Sequence, residues 1–431
     1  MILGAGLTGL SAALHLAERS FVLAERDGRP GGAACSHRRE GHTFDITGHW
    51  LHLRDPRIQS WVAELFEPGE WVEVQRRTSI FSHGVRLAYP FQANLHGLPL
   101  EIVQECLVGF VEAREAAARG EQEASSFEAF AVARFGKGIA RHFFVPYNTK
   151  LWGMHPDQLT ADWVSRFIPV PDVAQVIGGA LGLTQEGLGY NASFRYPKSG
   201  GIDALPRAMH QALQGRNGEI YLDCAMEEID TLRRRVKLSD TGDWLGYSRL
   251  ISSIPLPELI ARIPSAPGAV RAATKLLRWV SWRYLDIATK NRPPCTDHWI
   301  YVPEPEYPFF RVGIYSNALL AMAADGGGSL YVELSDREAP LDLPLVLAGL
   351  EKIGAITSTD DLRFCEERRV NHAYVIFDDN HAAATRTILD WLRSVGIRSC
   401  GRYGSWTYNS MEDCMIEGIL AADWAEDRTR A

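Results

Sequence analysis

The chain reads as an α/β protein whose parallel sheet is assembled from separated stretches of sequence. Three observations predict this. Gly4-Ala5-Gly6-Leu7-Thr8-Gly9 joins the apolar pair Ile2-Leu3 to a helical pattern of Leu7, Leu10 and Leu14, with Ala13 and Ala17 on the same side. A second apolar run, Phe21-Val22-Leu23-Ala24, ends in Glu25, about 20 residues beyond the first glycine. Strand patterns return far downstream at Ile220-Tyr221-Leu222 and Leu250 to Ile254, and a last element of the same sheet domain follows Gly401. The fold expected is therefore Rossmann-like. Its first glycine makes the strand-to-helix turn, its second admits a pyrophosphate to the backbone, and its third lets helix and strand pack closely. Glu25 is placed to accept hydrogen bonds from ribose hydroxyls.

With 431 residues the chain exceeds one ordinary domain. The nucleotide-binding domain is expected over 1–75, 195–265 and 395–431. A mainly helical substrate-binding insertion takes 76–194, and a sheet-containing substrate domain takes 266–394. Within the helical part, Ser125-Ser126-Phe127-Glu128 reads as a capping box. The formal charge of −8, with no basic block, argues against a nucleic-acid partner. Seven scattered cysteines without a Cys-x-x-Cys pair indicate reduced thiols in a cytoplasm rather than a disulfide framework or zinc site. No apolar run reaches the roughly 18 residues of a membrane span, and a glycine turn at residue 4 leaves no room for a signal peptide. His49 and His52 have ligand-like spacing, but no third ligand accompanies them, so no metal is expected.

Arg29-Pro30-Gly31-Gly32 resembles the Gly-Gly segment of two-dinucleotide-binding-domain flavoproteins, the group of the amine oxidases and protoporphyrinogen oxidases, which implies FAD rather than NAD as the resident dinucleotide. Six further segments occur in one order. They are Tyr89-Pro90-Phe91-Gln92-Ala93-Asn94, Phe144 to Trp152, Trp163-Val164-Ser165-Arg166, Gly189 to Pro197 with Gly200-Gly201, Trp299 to Glu304 running on to Phe309-Phe310-Arg311 and Tyr315-Ser316-Asn317, and Gly401 to Tyr408. In this order they resemble the UDP-galactopyranose mutases, particularly the eukaryotic-type branch, across almost the whole chain.

That resemblance implies an enzyme that isomerises a nucleotide-activated sugar between pyranose and furanose rings, through an adduct at N5 of reduced FAD, with NADPH or NADH as possible reductant. It implies a catalytic group of His49, Arg166, Tyr374 and Tyr408. Cofactor contacts fall on Gly4, Gly6, Gly9, Glu25, Arg26, Gly31, Gly32, Gly48, His49, Met226, Arg402, Asp413 and Met415. Tyr89, Phe91, Gln92, Asn148, Arg166, Asn191, Tyr301, Tyr374 and Tyr408 are the implied contacts of a nucleotide-diphosphate sugar, with uridine as the base. Arg166 matches an arginine that grips the diphosphate, where a planar guanidinium bonds two phosphate oxygens at once.

Two departures stand beside these matches. A second diphosphate arginine is expected before the Trp-x-Tyr segment, where Thr289 and Lys290 occur, and His372-Ala373-Tyr374-Val375 lacks the prolines that follow the tyrosine in the family. An FAD-dependent oxidoreductase of the amine oxidase or protoporphyrinogen oxidase type is the alternative these departures leave open.

Overall fold

The computed structural model describes residues 1–17, 19–121, 124–161, 168–183, 192–239 and 242–428. Its nucleotide-type sheet has five parallel strands in the order Ile397–Ser399, Leu250–Ser252, Ile2–Leu3, Phe21–Ala24 and Gly218–Tyr221. The central strand is only two residues long, yet Ile2 pairs with both Ile251 and Leu23. Such a short strand holds because the helix Leu7–His15 follows at once, with Leu7, Leu10 and Leu14 buried. A Cβ at Gly9 would run into the Gly4 carbonyl oxygen, which is why only glycine permits this approach. The C-terminal helix Met411–Ala425 lies against that first helix. Ser11 Oγ donates to the Met415 carbonyl at 2.7 Å, and a side chain at Gly418 would strike the Thr8 carbonyl.

A seven-stranded sheet forms the second layer, in the order Leu362–Val375, Trp279–Thr289, Gly328–Leu334, Phe309–Ile314, Trp299–Tyr301, Thr78–Ser82 and Val85–Ala88. All its pairings are antiparallel except the parallel join of Trp299–Tyr301 to Thr78–Ser82. The stretch 76–194, expected as mainly helical, thus lends two strands to this sheet. Its helical part is a packed hairpin, Leu100–Ala118 against Phe127–Ile139, in which Gly136 and Gly138 meet Gly109 and Glu105 so closely that a Cβ would collide with backbone. Ser126 caps the second helix by accepting from Ala129 N–H at 3.2 Å. The N3 residue is therefore Ala129, so the cap is single where a capping box through Glu128 was expected. All seven cysteines are free. Among the described residues no helix is long and apolar enough to cross a membrane.

The two layers meet on a buried carboxylate. Asp45 accepts from Ser36 Oγ at 2.6 Å, from Ile202 N–H at 3.0 Å and from the Tyr196 hydroxyl, and forms no ion pair among the described residues. Burial pushes its carboxyl from the ordinary value near 4 up to about 7. Between those values the folded protein keeps a proton that the unfolded chain has lost, so this group's contribution to stability falls as pH rises through that window. Asp45→Asn cannot ionise. Its deficit relative to the parent in urea melts should therefore shrink by at least about 1 kcal/mol between pH 5 and pH 8; a gap that stays constant would refute an ionising Asp45.

Candidate flavin and substrate site

The turn after Ile2–Leu3 is shaped to take a pyrophosphate. Gly4 sits at φ +94° and donates its N–H to Ala24 O at 2.8 Å, while Gly31 and Gly32 hold φ of +126° and +57°. Gly31 N–H in turn bonds Ala5 O at 2.8 Å, bringing the doublet against the first turn. Gly6 differs from its neighbours. A Cβ there would meet nothing nearer than the Gly31 carbonyl at 4.0 Å, and as helix N-cap Gly6 supplies no capping side chain. The first N–H groups of Leu7–His15 are left for an anion, and no acidic residue stands in that turn. These residues fit a dinucleotide.

Glu25 ends the second strand with its carboxylate folded inward. It accepts from Ala5 N–H at 2.6 Å and Asp27 N–H at 3.0 Å, and burial raises its carboxyl above the ordinary range. Arg26 turns away to Glu258 at 3.4 Å and is well exposed. Met226 is buried in an apolar cluster, two residues beyond Cys224, whose N–H bonds the Glu25 carbonyl at 2.8 Å. The Met226 side chain is thus core; any contact with a nucleotide falls to its backbone or its rim.

A strained turn carries Gly48 and His49. Thr47, β-branched and buried, has φ +57°, a conformation such residues rarely adopt. Its carbonyl accepts from the Tyr315 hydroxyl at 2.8 Å and from His49 N–H at 3.0 Å. A Cβ at Gly48 would strike the Tyr331 hydroxyl and come within 3.2 Å of Trp50 Nε1. His49 Nδ1 faces Ile46 O at 2.6 Å and so carries the ring proton, leaving Nε2 as an acceptor. Burial lowers the His49 pKa to about 4, which keeps the ring neutral at neutral pH. His52 Nδ1 is engaged by Ser193 O at 2.9 Å, so the two histidines do not converge as ligands.

Opposite this turn stands a wall of phenols and guanidinium groups. Tyr374 and Tyr408 stack with centroids 5.5 Å apart, and the Arg402 guanidinium lies 4.9 Å and 4.6 Å from the two ring centres. Arg402 is held by carbonyls, Asn409 O at 2.7 Å and Ala373 O at 3.2 Å, and pairs with no carboxylate among the described residues. Trp282 packs on Tyr374 at 4.5 Å, and Arg311 lies 5.6 Å over Trp282 while Glu333 holds it in a two-pronged ion pair. Tyr301 joins this wall, 5.2 Å from Tyr147 and 5.5 Å from Tyr89, and Arg76 covers the outer face of Tyr89 at 4.9 Å.

Several of the expected contact residues also have partners within the protein. Phe91 is wholly buried and stacks on Phe143 at 5.1 Å, so its ring packs in the helical core. Gln92 Nε2 donates to Pro169 O at 2.8 Å. The Asn148 amide is satisfied within its own helix, donating to Phe144 O at 2.8 Å and accepting from Trp152 Nε1 at 3.1 Å. Asp413 completes a capping box with Ser410, and Met415 packs between helices. Arg166 and Asn191 lie outside the described residues. The stretch taken for a lost second arginine is at the wrong end of its strand: Thr289 pairs with Leu362 and Lys290 bonds Asp360 O at 2.8 Å, whereas Tyr374 pairs with Val280. The arginine that does reach the wall is Arg311. A lone cation inside the apolar strand Phe309–Ile314 was the signal that could have found it.

The profile of flavin containing amine oxidoreductases matches residues 7–330. Among solved structures, reduced UDP-galactopyranose mutase superposes with a TM-score of 0.92 at 26% identity, over 100% of this chain and 96% of that one. Putrescine oxidase bound to putrescine gives 0.68 at 17% identity over 99% and 98% of the two chains. The CLA-producing fatty acid isomerase from P. acnes gives 0.64 at 16% over 97% and 96%. The fold thus carries redox and isomerising chemistries alike, and with three quarters of its length matched the chain belongs to the flavin-containing amine oxidoreductase family.

Proposed function

We propose that this protein is a flavin-dependent mutase that interconverts the pyranose and furanose rings of a nucleotide-diphosphate sugar, with uridine as the base. The observation that carries the reading is Arg402, a half-buried cation set against the Tyr374 and Tyr408 rings and held by carbonyls, with no carboxylate partner among the described residues. An ion taken out of water costs several kcal/mol unless something repays it, and a diphosphate would. An amine substrate would arrive as a cation and be repelled by the same charge. The full-length likeness to reduced UDP-galactopyranose mutase supports the reading independently.

The cofactor, FAD in its reduced form, would be held by Gly4, Gly6, Gly9, Gly31, Gly32 and Glu25, and supplies a nucleophilic ring nitrogen; NADPH or NADH is the proposed reductant. The chain's own groups divide the remaining work. Arg402 and Arg311, with Arg166 assigned from the sequence resemblance, face the charge that collects on a departing diphosphate. Burial keeps the Tyr374 phenol protonated, so its hydroxyl donates to phosphate oxygens beside that of Tyr408. Tyr89 and Tyr301 offer ring faces to the uracil. His49, neutral, offers Nε2 as an acceptor on the flavin side.

The decisive test is anaerobic incubation of the dithionite-reduced protein with UDP-galactopyranose, with products separated by chromatography. A furanose product that appears only after reduction is expected. Oxygen-dependent oxidation of a polyamine, with no change in the nucleotide sugar, would favour the oxidoreductase instead. Arg402→Ala should weaken UDP binding by about 2–5 kcal/mol in calorimetry, and unchanged affinity would remove the argument from its charge. Glu25→Ala should weaken FAD retention by about 1–3 kcal/mol, the scale of lost hydrogen bonds to a charged acceptor. Equal FAD affinities in the two proteins would show that Glu25 serves only Ala5 and Asp27.

A further inference from the structure

A cavity of about 440 Å³, within the size range of small-ligand pockets, lies beside the helix Pro56–Glu64. It is lined by Val62, Phe66 and Glu67 from that helix and the turn after it, and by Trp71, Glu73 and Arg195 from a pair of antiparallel strands. None of these residues belongs to either half of the site described above. The strands, Trp71–Gln75 and Ser193–Pro197, set Trp71 opposite Pro197 and Glu73 opposite Arg195. Opposed residues share a face, so alternation sends Phe194 and Tyr196 to the other one, where they pack on Trp50.

Two donors on this cavity lack an acceptor among the described residues. The Trp71 indole N–H is buried and unbonded, while its ring meets Phe66 edge-on at 4.9 Å. A buried donor left unsatisfied costs about 1–3 kcal/mol, so few persist without a partner of some kind. Arg195 is half-buried, and its guanidinium makes no ion pair among the described residues. Its backbone is tied to Leu51 in both directions, at 2.8 and 3.3 Å, which fixes where the side chain starts. The missing pair is informative because Glu73 stands directly opposite, where a cross-strand ion pair would form. Glu73 instead accepts from Ser193 Oγ at 2.8 Å and is exposed.

Donors set in an apolar hole select an acceptor with an apolar body. A planar guanidinium matches a carboxylate well, and an indole N–H can only donate. Glu67 and Glu73, both exposed, add negative charge at the rim and disfavour a doubly charged phosphate, which leaves the singly charged acid. We propose that this cavity binds a small monocarboxylate, aromatic or aliphatic, with its carboxylate on Arg195 and Trp71 Nε1 and its hydrocarbon against Val62 and Phe66. The site is independent of the mutase reading and stands or falls without it.

The test is anaerobic calorimetric titration of the FAD-loaded protein with phenylacetate and with octanoate, against phenylacetamide and phenethylamine as neutral and cationic counterparts. At least one acid should bind saturably at one site, and the amide and the amine at least about tenfold more weakly than phenylacetate or not at all. Arg195→Gln should weaken the acid at least about tenfold. Trp71→Phe keeps a ring and loses the N–H, and should weaken it about threefold or more. Both variants should retain FAD. Arg402→Ala should bind the acid as the parent does.

No saturable binding of either acid would overturn the proposal, as would an amide that binds as tightly as its acid. Tighter binding of phenethylamine would give the cavity to Glu67 and Glu73 and overturn it too. If Arg402→Ala abolishes binding while Arg195→Gln does not, the acid occupies the site already described and the cavity is not its receptor. Should Arg195→Gln fail to fold, Trp71→Phe decides alone, and unchanged affinity there refutes the assignment.

Discussion

The buried carboxylate of Asp45, held by hydrogen bonds and in no ion pair among the described residues, is the interaction on which the rest of the site depends. Three separated stretches meet on it: Ser36 from the hairpin beyond Glu25, Tyr196 and Ile202 from the segment that re-enters the nucleotide domain, and the turn that Asp45 itself opens. Its own carbonyl is fixed by the Tyr315 hydroxyl at 2.8 Å, which ties the seven-stranded sheet to the same point. Gly201 must be glycine there. Its φ is +79°, and a Cβ would strike Ser36 Oγ and come within 2.8 Å of Asp45 Oδ1. The Gly200-Gly201 doublet, quoted from the sequence as part of a family pattern, thus has a local physical cause: backbone must pass beside a carboxylate already surrounded.

What could be read from the chain alone divides along the same line between local and distant causes. The nucleotide turn was legible because its glycine spacing and the strand-to-helix pattern around it lie within one short stretch of sequence. Glu25 was legible for the same reason. Arg311 was not. A strand advances roughly 3.3 Å per residue, so the eleven residues of Trp279–Thr289 separate its two ends widely, and Thr289 and Lys290 lie near Trp299 in sequence but far from the end that meets Tyr374. Only antiparallel pairing with Gly328–Leu334 sets Arg311 opposite Glu333.

Aromatic and amide side chains pose a related difficulty. Phe91 and Gln92 belong to a segment rich in groups that suit a nucleobase, yet a ring or an amide serves a protein core equally well, and the choice depends on what packs behind it. Phe143 and Pro169, more than 50 and 70 residues away, make that choice here. Asn148 is a plainer case, since its partners Phe144 and Trp152 lie one helical turn to either side. Helical spacing alone could have shown that this amide had local work.

The cations around the substrate half are held in two different ways, and the difference bears on what they can recognise. Arg402 is held by two carbonyls, Arg337 by those of Ser281, Ser335, Lys150 and Leu151, and Lys150 Nζ by Val302, Glu304 and Phe309 at 2.6–3.0 Å. Elsewhere on the same sheet Arg283 is paired with Glu367 and Arg368 with Asp286. A carbonyl dipole satisfies a donor without cancelling its charge, whereas a carboxylate does both. Carbonyl-held arginines therefore leave a net positive field in a low-dielectric wall, where field lines are focused and an anion is attracted strongly. That arrangement sacrifices stability, as the Lys150 ammonium shows, its pKa lowered by burial to about 7. Arg311 marks the limit of the contrast: it reaches the same wall with Glu333 as its partner, so the charge left without a carboxylate among the described residues is that of Arg402.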